Sequence, residues 1–178
     1  LNHLERGLAF TRGDVGVNGL PLLGFADWND TINLPTGAES LFTANLYGRA
    51  LREMAALNDA LGNVETARNY RHNYAEMQAR SERTAWDGDW YVRYFDADGH
   101  AVGSKINDAG KIYLNGQSWP VISGFASQER GELAMDAAYK WLNTRYGIKL
   151  SAPGFNGFDP KVGGITTYPP GAKENGGI

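Results

Sequence analysis

The sequence has 178 residues, a formal net charge of −3 and no cysteine. This length is enough to bury a sizeable core, and the lack of cysteine excludes a disulfide framework and thiolate metal sites. The charge offers no basic stripe for nucleic acid, and no apolar run reaches the roughly 18 to 20 residues that a membrane span needs. We therefore expect a cytoplasmic protein with neither nucleic acid nor membrane as a partner.

Both ends of the chain read as interior sequence. The opening stretch from Leu1 to Phe10 has the character of mid-helix, and the chain stops at Ile178 inside its richest polar motif. Natural termini usually lie in exposed, poorly ordered segments. We predict that residues 1–178 are an internal part of a larger domain.

The first chemical motif is Asp27-Trp28-Asn29-Asp30, in a Gly- and Pro-rich loop before an amphipathic helix. A carboxylic acid can protonate a glycosidic oxygen, an indole can cover a pyranose ring, and an amide can hydrogen-bond sugar hydroxyls. A polar turn with a helix cap explains the same four residues equally well. Their spacing does not choose between Asp27 and Asp30 as the acid.

Three helices are predicted by periodicity and capping signals. Thr36-Gly37-Ala38-Glu39 fits a capping box, and the first helix is predicted to run from there to Gly62. Its apolar residues keep helical spacing: Leu41, Ala44, Tyr47, Leu51, Met54, Leu57 and Leu61. The second helix is predicted from an N-cap at Asn63 to near Trp86, and the third from Ser127 to Gly147.

A small β-hairpin is predicted between the second and third helices. Asp89 to Phe95 alternates as a strand, and Asp96-Ala97-Asp98-Gly99 supplies the turn. The turn resembles the start of a calcium loop, but the third acidic ligand and the closing glutamate are missing. We predict no metal site.

Two more polar segments follow, Asn115-Gly116-Gln117-Ser118-Trp119-Pro120 and Gly164-Ile165-Thr166-Thr167-Tyr168-Pro169-Pro170-Gly171-Ala172-Lys173-Glu174-Asn175-Gly176-Gly177. Gln117 is either a polar contact to a sugar or part of the structural start of the next helix, and the sequence leaves both interpretations open. Asn175-Gly176-Gly177 offers backbone N–H groups to an anion. Four tryptophans are predicted to be core residues: Trp86, Trp90, Trp119 and Trp141.

These three segments, in this order and at this separation, resemble the inverting glycoside phosphorylases of the cellobiose and chitobiose phosphorylase family. The resemblance runs from Gly19-Leu20-Pro21 to Ile178. The helical pattern alone predicts a mostly α fold. The resemblance implies more: residues 1–178 would be part of an (α/α)6 helical barrel with a small β-hairpin, and the flanking β domains of the parent protein would be absent from the chain.

The chemistry of an inverting phosphorylase defines the site to expect. One carboxylic acid protonates the leaving oxygen, while inorganic phosphate attacks the anomeric carbon from the opposite face. An inverting hydrolase instead needs a second carboxylate to activate water. Phosphate is already an anion, so the site needs cationic and N–H donors in place of that base. Phosphate is a co-substrate, and no cofactor is implied.

The resemblance assigns roles around the first motif. Asp30 matches the general acid, and Trp28 matches the tryptophan that lines the subsite of the transferred sugar. Asp27 is then expected to orient the loop through hydrogen bonds. A general acid must keep its proton near neutral pH, which requires partial burial or a nearby negative charge such as bound phosphate.

The last motif matches the family's sugar-binding residues. Lys173 and Glu174 match an adjacent pair that contacts the sugars, and Tyr168 matches a tyrosine near the acceptor side. The histidine that the family uses for phosphate would follow Ile178, so the phosphate-binding residues stay unassigned. The resemblance also implies a homodimer, because the acceptor subsite is partly formed by a neighbouring subunit.

Other interpretations of the same motifs remain open. An inverting hydrolase on a similar barrel would need a second carboxylate, for which Glu174 is the candidate. A non-catalytic sugar-binding fragment is a further alternative, and the phosphorylase-like module of cyclic glucan synthases carries similar motifs. The sequence does not choose among cellobiose, chitobiose, cellobionic acid, laminaribiose and longer cellodextrins as substrate.

Overall fold

The computed structural model describes residues 1–24 and 27–178, and within them the chain forms five helices and seven two-residue strands. The helices are α1 (Asn2–Gly13), α2 (Leu41–Ala60), α3 (Val64–Thr84), α4 (Leu114–Ser123) and α5 (Gln128–Leu142). The strands are β1 (Glu39–Ser40), β2 (Tyr94–Phe95), β3 (Ala101–Val102), β4 (Ile112–Tyr113), β5 (Asn143–Thr144), β6 (Gly147–Ile148) and β7 (Ser151–Ala152). The mostly α prediction is confirmed, whereas the closed (α/α)6 barrel stays a prediction.

Helix α2 begins later than the sequence predicts. Ser40 is its N-cap, and the Ser40 hydroxyl accepts a hydrogen bond from the Thr43 N–H at 3.2 Å. The predicted capping box at Thr36 and Glu39 is wrong, because Glu39 lies in strand β1. The Glu39 carboxylate instead accepts hydrogen bonds from the backbone N–H groups of Asn18 and Leu20, each at 3.0 Å. Glu39 therefore binds the backbone of a loop about twenty residues earlier and does not cap α2.

The pair α2 and α3 forms the largest helix contact of the fold, joined by the short turn at residues 61–63. The predicted apolar series of α2 is buried from Leu41 to Met54, and Leu57 and Leu61 remain exposed. Gly48 lets α2 approach Phe125 closely, since a Cβ at Gly48 would lie 2.2 Å from the Phe125 ring. This core fixes the helical part of the structure beside the site.

The β structure is small but connects distant parts of the chain. Strands β2 and β3 form the predicted hairpin, and β1 joins it on the other side of β2, all antiparallel. Strand β4 pairs with β7, which brings the segment after α5 against the start of α4. Strands β5 and β6 form a tight hairpin, so α5 ends at Leu142 rather than at the predicted Gly147.

Helix α4 corrects the interpretation of the segment at residues 115–120. That segment lies inside the helix rather than before it, with Pro120 in the interior. Gly124, in the left-handed conformation at φ +77°, follows the helix and ends it. Among the residues that the structure describes, no helix combines the length and apolar character needed to cross a membrane.

A second core joins the first motif to the last. Its buried residues come from the loop before α2, from β2 and β4, and from the C-terminal segment: Leu23, Ile32, Leu34, Ala38, Tyr94, Tyr113, Phe155, Val162 and Ile165. Burial of these side chains holds the loop that contains Asp30 against the segment that leads to Lys173.

Candidate active site

The two carboxylates of the first motif lie in opposite environments. The Asp27 side chain is only 1% exposed, whereas Asp30 is exposed. Trp28 is also exposed, at 62%, and Asn29 between them is buried. The loop therefore presents one acid and one indole to solvent and keeps the other carboxylate inside.

Both oxygens of Asp27 are engaged. Its Oδ2 accepts hydrogen bonds from Arg93 Nη2 at 2.8 Å and from the Ser40 hydroxyl at 2.9 Å. Its Oδ1 accepts from the backbone N–H of Trp28. An oxygen that already accepts such bonds is a poor proton donor to a substrate. Asp27 was also expected among the substrate-binding residues, but its buried side chain, bonded to Arg93, Ser40 and Trp28, has no surface for a direct contact to a sugar.

Three aromatic rings pack together next to the loop, tilted or edge-on to one another. The Phe42 ring is centred 6.0 Å from Trp28 and 5.3 Å from Trp119, and the guanidinium carbon of Arg93 lies 5.0 Å from the same Phe42 ring. Trp28, Phe42 and Trp119 line a cavity of about 140 Å³ together with the buried Asn29. The predicted core residue Trp119 is thus half-buried at the edge of the loop.

The C-terminal motif reaches the chain directly after Asp30. The Ile165 N–H donates a hydrogen bond to the Thr31 carbonyl at 2.8 Å. Gly163 has φ +92°, and a Cβ there would lie 2.9 Å from the Asn33 backbone nitrogen. Only glycine fits this close approach. The first and last motifs are therefore in direct backbone contact.

Tyr168, Lys173 and Glu174 lie farther along the same segment. The Lys173 ammonium is 4.9 Å from the centre of the Tyr168 ring, a cation–π distance. Glu174 is half-buried, and its Oε2 has no hydrogen-bond partner among the described residues. A buried carboxylate oxygen without a partner is costly, which is typical of a group that meets a ligand or another part of the protein.

The backbone N–H groups around Asn175 form hydrogen bonds within their own segment. Asn175 is fully buried, its own N–H donates to Ala172, and the Gly177 N–H donates to Lys173 at 2.8 Å. These two N–H groups are unavailable to an anion, so the predicted anion nest is wrong at both positions. The tight loop instead sets the backbone of Lys173 at φ +47°.

Gln117 lies on α4 and is fully buried. Its Oε1 accepts the Tyr91 N–H at 2.9 Å, and its Nε2 donates to the Tyr91 carbonyl at 2.9 Å and the Tyr113 carbonyl at 3.2 Å. The side-chain amide of Gln117 therefore binds the backbone of Tyr91 and Tyr113. The structure favours the structural interpretation of Gln117 over the sugar contact.

Two buried phenols lie behind the loop. The Arg93 guanidinium carbon is 4.1 Å from the centre of the Tyr94 ring, and Tyr94 packs edge-on against Tyr113. Burial raises the pKa of both phenols above the ordinary value, and the charge of Arg93 only partly offsets it. Both rings keep their proton at physiological pH, so neither is a base for the site.

The sequence analysis missed Arg93 and Phe42. A signal was present for Arg93, because a charged residue in the apolar run Tyr91-Val92-Arg93-Tyr94-Phe95 must find a partner when buried. The partner itself is 66 residues away along the chain. Phe42 carried no signal, since its place beside the first turn of α2 reads as ordinary core.

The hairpin turn holds a group of acidic and imidazole side chains. Ligand atoms of Asp96, Asp98 and His100 lie within 4.8 Å of one another. The Asp96 Oδ1 accepts the backbone N–H groups of Asp98 and His100, at 3.0 and 2.8 Å. This is the bonding of a tight turn, as the sequence predicts.

Known proteins resemble the chain over its full length. A model of the glycosyl hydrolase 94 superfamily catalytic domain matches residues 1–178. The chain is 35% identical to 3-O-beta-D-glucopyranosyl-beta-D-glucuronide phosphorylase of Paenibacillus borealis, over 99% of the chain and 23% of that protein. It is 36% identical to N,N'-diacetylchitobiose phosphorylase of Vibrio proteolyticus, over 99% of the chain and 22% of that protein.

A third relative is a different kind of enzyme. Cyclic beta-(1,2)-glucan synthase of Rhizobium meliloti is 31% identical over 98% of the chain, which corresponds to 6% of the synthase. The chain spans less than a quarter of the length of each of these three relatives. The resemblance to disaccharide phosphorylases is confirmed, and the chain belongs to the glycosyl hydrolase 94 superfamily, within its catalytic domain.

Proposed function

We propose that the protein containing this chain is an inverting phosphorylase that cleaves a β-linked disaccharide or short oligosaccharide to an α-sugar 1-phosphate and a shortened sugar. One observation carries the proposal. The backbone contact between Ile165 and Thr31 brings the segment of Lys173 and Glu174 to the loop that presents Asp30. In this proposal the acid and the candidate sugar-binding groups belong to one site.

In this proposal Asp30 is the general acid. Of the two carboxylates in the loop, Asp30 is exposed and Asp27 is buried and fully bonded. Asp30 donates its proton to the glycosidic oxygen as that bond breaks, and a phosphate oxygen forms the new bond to the anomeric carbon from the opposite face.

The sugar-binding roles follow from exposure and charge. The exposed indole of Trp28 offers a flat apolar face to the transferred sugar. Lys173, Glu174 and Tyr168 would contact hydroxyl groups, with Lys173 held over the Tyr168 ring. Gln117 is not part of this proposal because its amide already binds backbone. The phosphate-binding histidine expected from the resemblance would lie beyond Ile178.

An inverting hydrolase remains the second candidate. The buried, unpartnered Oε2 of Glu174 favours it, since such a carboxylate is a candidate base for water. Two relatives that are named as phosphorylases support phosphorolysis instead. The third relative, a cyclic glucan synthase, keeps open a module of a larger synthase. A non-catalytic sugar-binding role would predict binding without turnover in the full-length protein.

The finer features of the enzyme are also proposals. We expect a cytoplasmic homodimer that uses inorganic phosphate as co-substrate and no cofactor. Cellobiose, chitobiose, cellobionic acid, laminaribiose and cellodextrins are all candidate substrates, because the acceptor subsite draws on residues outside this chain.

The test is phosphate-dependent release of sugar 1-phosphate from a panel of β-linked disaccharides by the full-length protein. Asp30→Asn should lower kcat by about 100- to 10,000-fold, the range for losing a general acid, while disaccharide still binds. Asp98→Asn, an exposed aspartate at the hairpin turn, is the matched control and should retain full activity. Hydrolysis that needs no phosphate would replace this proposal with the hydrolase, and Glu174→Gln would be tested next.

A further inference from the structure

The inference concerns Arg93, a residue that lies outside all three motifs. We propose that Arg93 is a positioning residue that holds the loop of Asp30 and Trp28 in its working geometry through two separate contacts, one ionic and one aromatic. The inference rests on the proposed function for its kinetic consequence.

The ionic contact is completely enclosed. Arg93 and Asp27 side chains are each 1% exposed, and Nη2 of Arg93 lies 2.8 Å from Oδ2 of Asp27. Nη1 of Arg93 lies 3.3 Å from the hydroxyl of Ser40, which also bonds to Asp27. Ser40 is the N-cap of α2. Arg93, which directly precedes strand β2, therefore connects the loop to the N-terminus of α2 and to the hairpin.

The buried pair of Arg93 and Asp27 is by itself weak evidence for stability. Two charges removed from water lose hydration, and their mutual attraction offsets that loss only with good geometry and further hydrogen bonds. Here one donor is unmatched, since Nε of Arg93 has no hydrogen-bond partner among the described residues. What the pair adds is direction, because the guanidinium binds Asp27 through Nη2 and the Ser40 hydroxyl through Nη1.

The second contact of Arg93 runs through an aromatic ring to Trp28. The Arg93 guanidinium lies 5.0 Å from the centre of the Phe42 ring, and Phe42 lies 6.0 Å from Trp28. Asp27 and Trp28 are neighbours, and Asp30 follows two residues later. Arg93 thus contacts Asp27 directly and Trp28 through the Phe42 ring.

The hairpin holds the backbone of Arg93 closely. Gly103 lies against its backbone, with φ +92°, and a Cβ at Gly103 would lie 2.7 Å from the Arg93 nitrogen and 2.9 Å from its Cβ. The Arg93 N–H also donates to the Val102 carbonyl at 2.8 Å across the hairpin. The hairpin β2–β3 therefore serves as the rigid base from which Arg93 reaches the loop.

The test compares Arg93→Met, Arg93→Lys and a control, Arg130→Met, in the full-length enzyme. Arg130 on α5 makes contacts of the same kind, an ion pair to Glu82 of α3 at 2.8 Å and a ring contact to Trp86 at 5.1 Å, although its side chain is 33% exposed and that of Arg93 is 1% exposed. Arg93→Met should lower kcat about 100-fold, the effect of displacing a catalytic group by about 1 Å. Its KM should rise by a smaller factor than kcat falls, because the Trp28 indole is still present to cover the sugar.

Arg93→Lys keeps the charge and loses the planar fork, so it should recover part of kcat. The double variant Asp27→Asn with Arg93→Met should lose no more activity than Arg93→Met alone, because the two residues act as one unit. Arg130→Met should leave kcat unchanged. Equal kcat in Arg93→Met and Arg130→Met would overturn the inference and leave Arg93 a structural residue.

A second readout does not depend on turnover. Hydrogen exchange of a peptide that covers residues 27–32 should become faster in Arg93→Met and Arg93→Lys but not in Arg130→Met. Unchanged exchange in that peptide would overturn the inference even if the wild type proved to be a hydrolase or inactive. Absence of phosphate-dependent turnover in the wild type would instead contradict the proposed function alone.

Discussion

The side-chain amide of Asn175 binds both backbone groups of Phe155, accepting the Phe155 N–H at 2.7 Å and donating to the Phe155 carbonyl at 2.9 Å. A third bond, from the same amide nitrogen, reaches the Tyr168 carbonyl at 2.7 Å. Asn175 thus ties three stretches of the C-terminal segment together from the inside. The positions of Lys173 and Glu174 depend on this buried amide.

Asn175→Ala should therefore destabilise the protein more than an ordinary polar truncation. Three backbone groups lose their partner, and each buried unsatisfied group costs about 1 to 3 kcal/mol before any relaxation, so a net loss of about 3 kcal/mol is expected. The measurement is the urea midpoint of the full-length protein. Asn156→Ala, an exposed asparagine in the same segment, should change stability by less than about 0.5 kcal/mol.

The sequence predicted the elements whose signals are local. Helices α2, α3 and α5 follow apolar periodicity and, in α5, a cap in which Ser127 accepts the Arg130 N–H. The β2–β3 hairpin follows Asp-Gly turn chemistry. Helix α4 was not recognised because Gly116 and Pro120 weaken the helical pattern, and burial by neighbouring elements overrides that weakness.

The sequence did not predict side-chain contacts between residues that are far apart along the chain. Glu39 fits a capping box locally, but it binds the Asn18 and Leu20 backbone about twenty residues earlier. The spacing of Asp27 and Asp30 in the sequence does not distinguish their roles, whereas in the structure only Asp27 of the two forms an ion pair with Arg93. Long-range pairing of this kind leaves no spacing rule in a single sequence, so only the three-dimensional arrangement separates the two acids.

Trp28→Ala should weaken sugar binding without unfolding the protein. Trp28 is 62% exposed, so its loss removes little buried area in the free enzyme. Covering an indole of this size with a sugar is worth about 1.5 to 3 kcal/mol, which corresponds to an increase of about 10- to 100-fold in Kd. The measurement is calorimetric titration with the best disaccharide. Tyr139→Ala, an exposed aromatic on α5, is the control, and equal Kd values in both variants would contradict the role of Trp28.

Gln117→Leu separates the two interpretations of Gln117. The substitution keeps the volume but leaves three buried backbone groups of Tyr91 and Tyr113 without the amide, for an expected loss of about 2 to 4 kcal/mol in the free energy of unfolding. The KM for disaccharide should stay within about twofold of wild type where the variant is folded. Gln128→Leu, on the exposed start of α5, should affect neither quantity. A raised KM with unchanged stability would restore the sugar contact.

Gly48→Ala tests whether packing outweighs helix propensity. Alanine is favoured over glycine in a helix interior by about 1 kcal/mol, but the new Cβ would lie 2.2 Å from the Phe125 ring. Overpacking costs about 1 to 3 kcal/mol, so the net change should be destabilising. Gly131→Ala in α5, where the nearest atom would lie at 3.4 Å, should stabilise instead. Adding Phe125→Leu to Gly48→Ala should recover stability if the clash is the cause.

The buried phenols predict a loss of stability at alkaline pH. Burial raises the pKa of Tyr94 and Tyr113 in the folded protein above the ordinary value of 10.0, while unfolding returns them to it. Above pH 10.0 the unfolded chain releases protons that the folded chain keeps, so the free energy of unfolding falls as pH rises. The stabilising contribution is fully present below that pH. Two such groups give a decrease of about 2 to 3 kcal/mol per pH unit.

The clean measurement is a difference between proteins rather than a single curve, because other tyrosines and lysines titrate in the same range. Urea midpoints of wild type and Tyr113→Phe should be compared at about pH 8 and pH 11. Tyr113→Phe removes one of the two phenols, so its decrease should be smaller by about 1.4 kcal/mol per pH unit above pH 10. Parallel decreases in the two proteins would mean that Tyr113 is already open to solvent in the folded state, which contradicts its burial in the core with Tyr94 and the C-terminal segment.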